Sequence, residues 1–279
     1  MKTLYVSDLD GTLLNSDSKV SRRSAEILSQ LSSKGALITV ATARTPATVE
    51  PLLADVASTV PAIVMTGASL WDRVNKCYFD TRFIDAATSR SVRETAARYG
   101  VDPFTYTLGD NGILDIYRNG TIAPCVRNFI DERSHLPLKR FHLDTPEGDD
   151  YALPRTVLFF AMGKPDKIFP LADELRATIP CSVSSYLDIF FDDTAIIEVL
   201  APGLSKADSV KKIAKRYDAK RIVTFGDNLN DLSMMEIADV AVAVDNARDE
   251  VKRAADIIIG TNDEDSVARF IADDFSAMQ

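Results

Sequence analysis

The sequence predicts an α/β fold: a Rossmann-like parallel-sheet core split by an inserted α+β domain. Two observations carry this. Continuous apolar runs separated by helical patterns open the chain and return near its end, the grammar of parallel strands covered on both faces. Between them, paired strand patterns and turn residues replace that alternation. The length of 279 residues, at about 150 residues per domain, also sets two domains as the prior.

In the first half, Leu4–Ser7 reads as the first strand. Ser21 can cap a helix that runs to about Lys34, with Ile27, Leu28 and Leu31 on one face and Gly35 as its stop. Leu37–Ala41 is a second buried strand. Pro46 suits the first turn of the next helix, while Pro51 inside it predicts a short or kinked one. Ala62–Thr66 is the third strand. In the closing half, Ile196–Leu200 reads as a strand, Ser205–Tyr217 as a helix and Arg221–Phe225 as a strand. Val240–Val244, a helix near Ala247–Ala255, and Asp256–Ile259 complete it.

The middle differs. Asp85 can cap a helix to Tyr99, stopped by Gly100. Thr105–Tyr117 reads as strands around the turn residues Gly109-Asp110-Asn111-Gly112. Pro137–Pro154, rich in Asp and Pro, is expected as loop. Thr156–Met162 is a strand, Pro165–Thr178 a helix, and Cys181–Phe191 one or two further strands. The core is thus expected at residues 1–81 and 192–279, and the inserted domain at 82–191.

The bulk numbers exclude some partners. The net charge is −9, so neither nucleic acid nor an anionic membrane is the expected partner, since both favour a basic face. An anionic substrate then has to be drawn by local charge. Cys77, Cys125 and Cys181 are far apart and form no metal-binding pair, so buried free thiols are expected. His135 and His142 match no common metal spacing and are expected in a surface loop. One Lys precedes a short apolar run that Asp8 interrupts, which does not fit a signal peptide. No apolar stretch approaches the ~18–20 residues needed to span a bilayer. A cytoplasmic protein is the expectation.

Chemistry concentrates at predicted strand tips. Asp8-Leu9-Asp10-Gly11-Thr12 follows the first strand and sets two carboxylates two residues apart, on the edge of an open α/β sheet where ligands bind. One carboxylate can attack phosphorus, and the other can protonate a leaving oxygen and then deprotonate water. A Mg²⁺ ion would be needed to hold the first beside a dianionic phosphate. Thr42-Ala43-Arg44 follows the second strand, where a hydroxyl and a backbone N–H can donate to phosphate oxygens. Lys206, in Gly203-Leu204-Ser205-Lys206, can neutralise the phosphate and the attacking carboxylate together. Gly226-Asp227-Asn228-Leu229-Asn230-Asp231 follows a later strand and crowds two carboxylates that repel unless a cation is bound.

Together these stretches resemble the four motifs of the haloacid dehalogenase-like hydrolases. Their order, spacing and middle insertion resemble the Cof-type phosphatases with a large α/β cap, class IIB. Asp245-Asn246-Ala247, Val251-Lys252 and Ala255-Asp256 are similar to that family as well. The resemblance spans the core, and the cap matches by position and pattern only. It implies that Asp8 is the nucleophile and a metal ligand, and that Asp10 is the general acid/base with its carbonyl on the metal. It implies phosphate binding by Thr42, the backbone at Leu9 and Ala43, Lys206 and Asn230. It implies Asp227 as a Mg²⁺ ligand and Asp231 as support for the metal or Lys206. The expected partner is a small phosphorylated metabolite, most of all a sugar phosphate.

Three positions depart from the family pattern: Ala43 stands where Gly is usual, Thr66-Gly67 where Asn-Gly is common, and Ser266 where Asp-Gly-Val has its Gly. None removes a catalytic group. A sugar phosphomutase of the same superfamily remains an alternative, as does a phospho-accepting regulatory or sensor protein without turnover. Arg73, Arg118, Tyr186 and Asp188 are candidate cap-side contacts, with packing or surface roles the stronger expectation for each.

Overall fold

The computed structural model describes residues 2–145, 155–188 and 193–278. The chain begins with β1 (Thr3–Ser7), α1 (Arg22–Ser33), β2 (Leu37–Val40), α2 (Pro46–Leu52), β3 (Ala62–Val64), β4 (Ser69–Asp72) and β5 (Cys77–Phe79). It continues with α3 (Ala86–Arg98), β6 (Phe104–Leu108), β7 (Leu114–Arg118), α4 (Pro124–Asp131), β8 (Lys139–Leu143), β9 (Thr156–Gly163), α5 (Pro165–Thr178), β10 (Ser182–Leu187) and β11 (Ala195–Leu200). It closes with α6 (Lys206–Tyr217), β12 (Arg221–Gly226), α7 (Leu232–Met235), β13 (Val240–Val244), α8 (Asp249–Ala254), β14 (Ile257–Ile259) and α9 (Ser266–Ala277).

These elements form two compact units, Met1–Asp80 with Ser205–Gln279, and Thr81–Leu204. The first holds a five-stranded sheet in the order β14-β13-β12-β1-β2, parallel throughout. All five residues of β1 are buried, as the apolar run requires when both faces of a parallel strand are covered. Local chemistry sets the helix ends: Ser21 Oγ accepts the Ser24 N–H at 2.9 Å to start α1, and Gly35, at φ 95°, ends it. Pro46 opens α2, which is short and contains Pro51.

The first half differs from expectation at its third strand. β3 stops at Val64 because Met65 and Thr66 both turn left-handed, with φ of 50° and 54°. It pairs antiparallel with β4 in a separate three-stranded sheet, and one parallel bridge, Ala41 to Ile63, joins it to β2.

Among its described residues the second unit holds a six-stranded sheet, β10-β11-β9-β6-β7-β8, antiparallel except between β7 and β8. Val92 and Ala96 of α3 and Leu171 and Leu175 of α5 meet Phe159, Ala161, Ile197 and Val199 on one face. Phe104, Phe129, Phe141 and Phe160 cluster together elsewhere in the unit, with Phe129 and Phe160 stacked at 5.2 Å.

Three expectations need correction here. The strand at Ile196–Leu200 belongs to this unit and not to the core: β11 lies between β9 and β10, and the chain re-enters the core at Ser205 instead of near 192. The stretch expected as loop contains β8, which extends the sheet beside β7, while residues 146–154 lie outside the described residues. His142 therefore sits on a strand, where Nε2 meets Asp115 Oδ1 at 2.8 Å. The expected strand Cys181–Phe191 is seen as β10, its last residues again outside the described set. The cysteines are free, but none is buried as expected: Cys77 is exposed, and Cys125 and Cys181 are half-buried. No helix among the described residues is long and apolar enough to cross a membrane.

Candidate active site

Three adjacent parallel strands of the first unit, β2, β1 and β12, bring the motifs to one sheet edge. The ladder continues one residue past β1, with the Asp8 N–H donating to the Phe225 carbonyl at 2.9 Å. Asp8 is thereby held at the strand tip, level with Gly226-Asp227. On the other side the Ala41 N–H donates to the Ser7 carbonyl at 2.9 Å, so Thr42 leaves β2 at the same edge.

The turn after Asp8 is closed by the Leu14 N–H on the Leu9 carbonyl at 2.8 Å. It needs Gly11, which has φ 74°. A Cβ there would also stand 2.6 Å from Asp227 Oδ2. Thr12 Oγ1 donates to the other oxygen of Asp227 at 2.8 Å, and Asn246 Nδ2 donates to the Gly11 carbonyl at 2.7 Å.

Lys206 is the first residue of α6, whose cap Ser205 accepts the Asp208 N–H at 3.2 Å. Its side chain has no exposed surface. Nζ donates to Asp8 Oδ1 at 2.5 Å and to Asp231 Oδ1 at 2.6 Å. The second oxygen of Asp231 accepts the Asp227 and Asn228 N–H groups, each at 3.1 Å. Gly226 makes this possible, because a Cβ there would lie 2.6 Å from Asp231 Cβ.

Electrostatically the cluster is unbalanced. Burial pushes the Asp8 carboxyl well above the usual carboxylate range; Lys206 pulls it down, and Asp231, Asp227 and Asp10 push it further up. Burial, then Asp231, lift Asp227 to about 7. Burial works against the Lys206 ammonium too, but Asp231 and Asp8 outweigh it and hold the group above its usual value. One buried cation thus serves a site of several acids.

That surplus tests the expected metal. Asp8, Asp227 and Asp231 each offer a carboxylate oxygen within 4.8 Å of the others. All donors are hard oxygens, the set that suits Mg²⁺. With glycine at position 11, no Cβ crowds Asp227 Oδ2. The residues present fit a hard divalent cation, with Asp8 and Asp227 the better placed ligands, since Asp231 is committed to Lys206 and two backbone N–H groups.

Asp10 does not join this cluster through its side chain in the structure. Its carboxylate lies side-on to Arg44, Nε to Oδ2 at 2.7 Å and Nη2 to Oδ1 at 2.6 Å. Thr42 is 1% exposed, and its Oγ1 accepts the Arg44 N–H at 3.1 Å. Leu9 is buried and Ala43 half-buried. The Asn230 side-chain oxygen is buried without a hydrogen-bond partner among the described residues; rotating the amide presents its NH₂ instead.

Four other candidates fall to structural work or stand apart. Arg73 belongs to the first unit, where Nη1 holds the Val56 carbonyl at 2.9 Å and Nη2 holds that of Leu53. Arg118 of β7 is bonded to the carbonyls of Asp102 and Thr121. Tyr186 lies on β10, and the Asp188 N–H donates to the Thr194 carbonyl. Reading the sequence left Thr12, Asn246 and Arg44 without roles. Their signal was adjacency, since each lies inside a stretch already singled out.

Residues 5–271 match the model of the haloacid dehalogenase-like hydrolases. The chain belongs to this family. Relatives named as phosphatases match it along nearly its whole length. A 5-amino-6-(5-phospho-D-ribitylamino)uracil phosphatase of Bacillus subtilis is 26% identical, over 98% of this chain and 97% of that protein. A pyridoxal phosphate phosphatase of Escherichia coli is also 26% identical, over 95% of each chain. Among solved structures, a subclass IIB sugar phosphatase superposes with a TM-score of 0.75, covering 99% of both chains at 18% identity. At that identity the likeness speaks for the fold: a parallel core with an inserted α/β domain.

Proposed function

We propose that this family member is a Mg²⁺-dependent phosphatase that hydrolyses small phosphomonoesters, sugar phosphates foremost, through an aspartyl-phosphate on Asp8. The observation that carries the reading is the buried Lys206 ammonium shared between Asp8 and Asp231 at a strand tip. A carboxylate so held is fixed in place for in-line attack, and the same ammonium faces the incoming phosphate charge.

Asp8 attacks phosphorus as the ester P–O bond breaks, and Asp10 gives a proton to the departing alkoxide. Asp10 then takes a proton from water, whose oxygen attacks phosphorus and releases phosphate and the Asp8 carboxylate. Thr42, Asn230 and the backbone N–H groups at Leu9 and Ala43 donate to the phosphate oxygens. Asp231 keeps Lys206 charged and in register. A Mg²⁺ bound by Asp8, Asp227 and the Asp10 carbonyl would neutralise charge between carboxylate and phosphate. Two full-length relatives named for small phosphorylated compounds support the substrate class.

The deciding experiment is a phosphate-release screen over sugar phosphates, nucleotides, pyridoxal phosphate and an aryl phosphate, with and without Mg²⁺. The expectation is Mg²⁺-dependent release with no isomerised sugar phosphate. An isomerised product would make the chain a mutase. A stable phosphoprotein that releases no phosphate would make it a phospho-acceptor.

A further inference from the structure

Arg44 has no part in the scheme above, yet it makes the closest contacts that Asp10 has. The guanidinium lies side-on to the carboxylate, with both contacts at 2.7 Å or less. The two side chains are 22% and 30% exposed, so the pair is partly shielded from water. The backbone behind Arg44 is tied on both sides. Its N–H donates to Thr42 Oγ1 at 3.1 Å, and its carbonyl accepts the Met65 N–H at 3.0 Å. Asp10 lies in a turn, next to a glycine at φ 74°.

A forked, two-bond contact fixes the plane of a carboxylate as well as its position, which the point charge of a lysine does not. Proton transfer depends on that plane, because the working oxygen must come within hydrogen-bond reach of the reacting oxygen. Misplacement by about 1 Å can cost on the order of 100-fold in rate.

We propose that Arg44 is a positioning residue for Asp10, setting the rotamer and plane of its carboxylate and entering the reaction only through it. The proposal rests on the reading of Asp10 as the proton-transfer group. A direct grip of Arg44 on substrate phosphate, or a purely structural tie between two loops, would leave different marks.

The test is a cycle of wild type, Arg44→Met, Asp10→Asn and the double variant, with Arg44→Lys alongside, on an aryl phosphate and an alkyl phosphate. Arg44→Met should lower kcat on the alkyl ester by about 10- to 100-fold and leave KM within about threefold. The loss on the aryl ester, which needs less proton help, should be smaller. Arg44→Lys should recover only part. In the Asp10→Asn background the Arg44 change should cost less than about threefold on the aryl ester.

A raised KM with kcat intact would overturn the proposal in favour of a phosphate contact. An undiminished loss in the Asp10→Asn background, or equal losses on both esters with a lowered Tm, would overturn it as well. An activity-free measurement stands beside these: in ¹⁵N NMR spectra without substrate, Asp10→Asn should move the Arg44 Nε–H resonance, and an unmoved resonance refutes the pair. If Asp10→Asn alone slows both esters equally, the acid role of Asp10 fails. The coupling in the cycle still decides whether Arg44 acts through that residue.

Discussion

Each unit buries a cation, and the two do so in opposite ways. In the inserted unit, Arg118 is 7% exposed and is bonded to the backbone carbonyls of Asp102 and Thr121, with its guanidinium 5.2 Å from the Phe104 ring. Burial lowers its affinity for the proton and outweighs the pull of Asp102 and Asp144, and its hydrogen bonds go to backbone carbonyls, not to carboxylates. In the catalytic unit, Lys206 is 1% exposed and is bonded to two carboxylates, within a cluster that also includes the carboxylate of Asp227. Its partners want more positive charge than it supplies. A buried charge closed off by backbone is a fastening. A buried charge amid surplus opposite charge is a place prepared for a ligand.

The largest expected effect is on activity. Asp8→Asn should cut turnover by at least about 1000-fold, because it removes the attacking group, while thermal scans show an intact fold. Retention of a tenth of the rate would defeat the covalent scheme.

Arg118→Met should do the reverse. It strands two carbonyls and should cost about 2–4 kcal/mol of stability, read by denaturant titration. The rate per folded molecule on an aryl phosphate should change by less than about twofold. A stability loss under about 0.5 kcal/mol would show that the buried guanidinium is no fastening.

Protons and metal sharpen the contrast. The folded-state value of Asp227 is raised to about 7. Without metal, its contribution is therefore favourable at low pH and is lost as the pH rises through about 7. Asp227→Asn should accordingly gain in Tm relative to the wild type between pH 5 and 7.5, both in EDTA. Millimolar Mg²⁺ should raise the wild-type Tm more at pH 7.5 than at pH 5, where it competes with a proton. Equal shifts at the two pH values would contradict a cation held by these carboxylates.

The smallest effect concerns a strained turn rather than a charge. Thr66 is buried at φ 54°, a region unfavourable to a β-branched side chain. Its N–H donates to the Thr42 carbonyl at 3.0 Å. Thr66→Asn should stabilise the catalytic unit by about 0.5–1 kcal/mol, measured as a rise in denaturation midpoint. A destabilised variant would mean that Thr66 side-chain contacts outweigh the strain.

Local pattern suffices for the five strands of the parallel sheet and for the acidic cluster at their tips, though not for β3, which pairs antiparallel with β4. An apolar run followed by Asp8, or by Gly226-Asp227, is a local pattern, and the carboxyl ends of parallel strands form the edge where ligands bind. The helix with Lys206 in its first turn was equally local. Tertiary structure decided which strands became neighbours. Ile196–Leu200 has the same apolar character as a core strand, and only its antiparallel register with β9 and β10 assigns it to the inserted sheet. β8 was hidden because an edge strand needs little apolar signal once β7 offers it a ladder. The same holds for Asp10 and Arg44. They lie 34 residues apart in sequence, and their pairing arises only when β1 and β2 lie side by side and carry both turns to one edge.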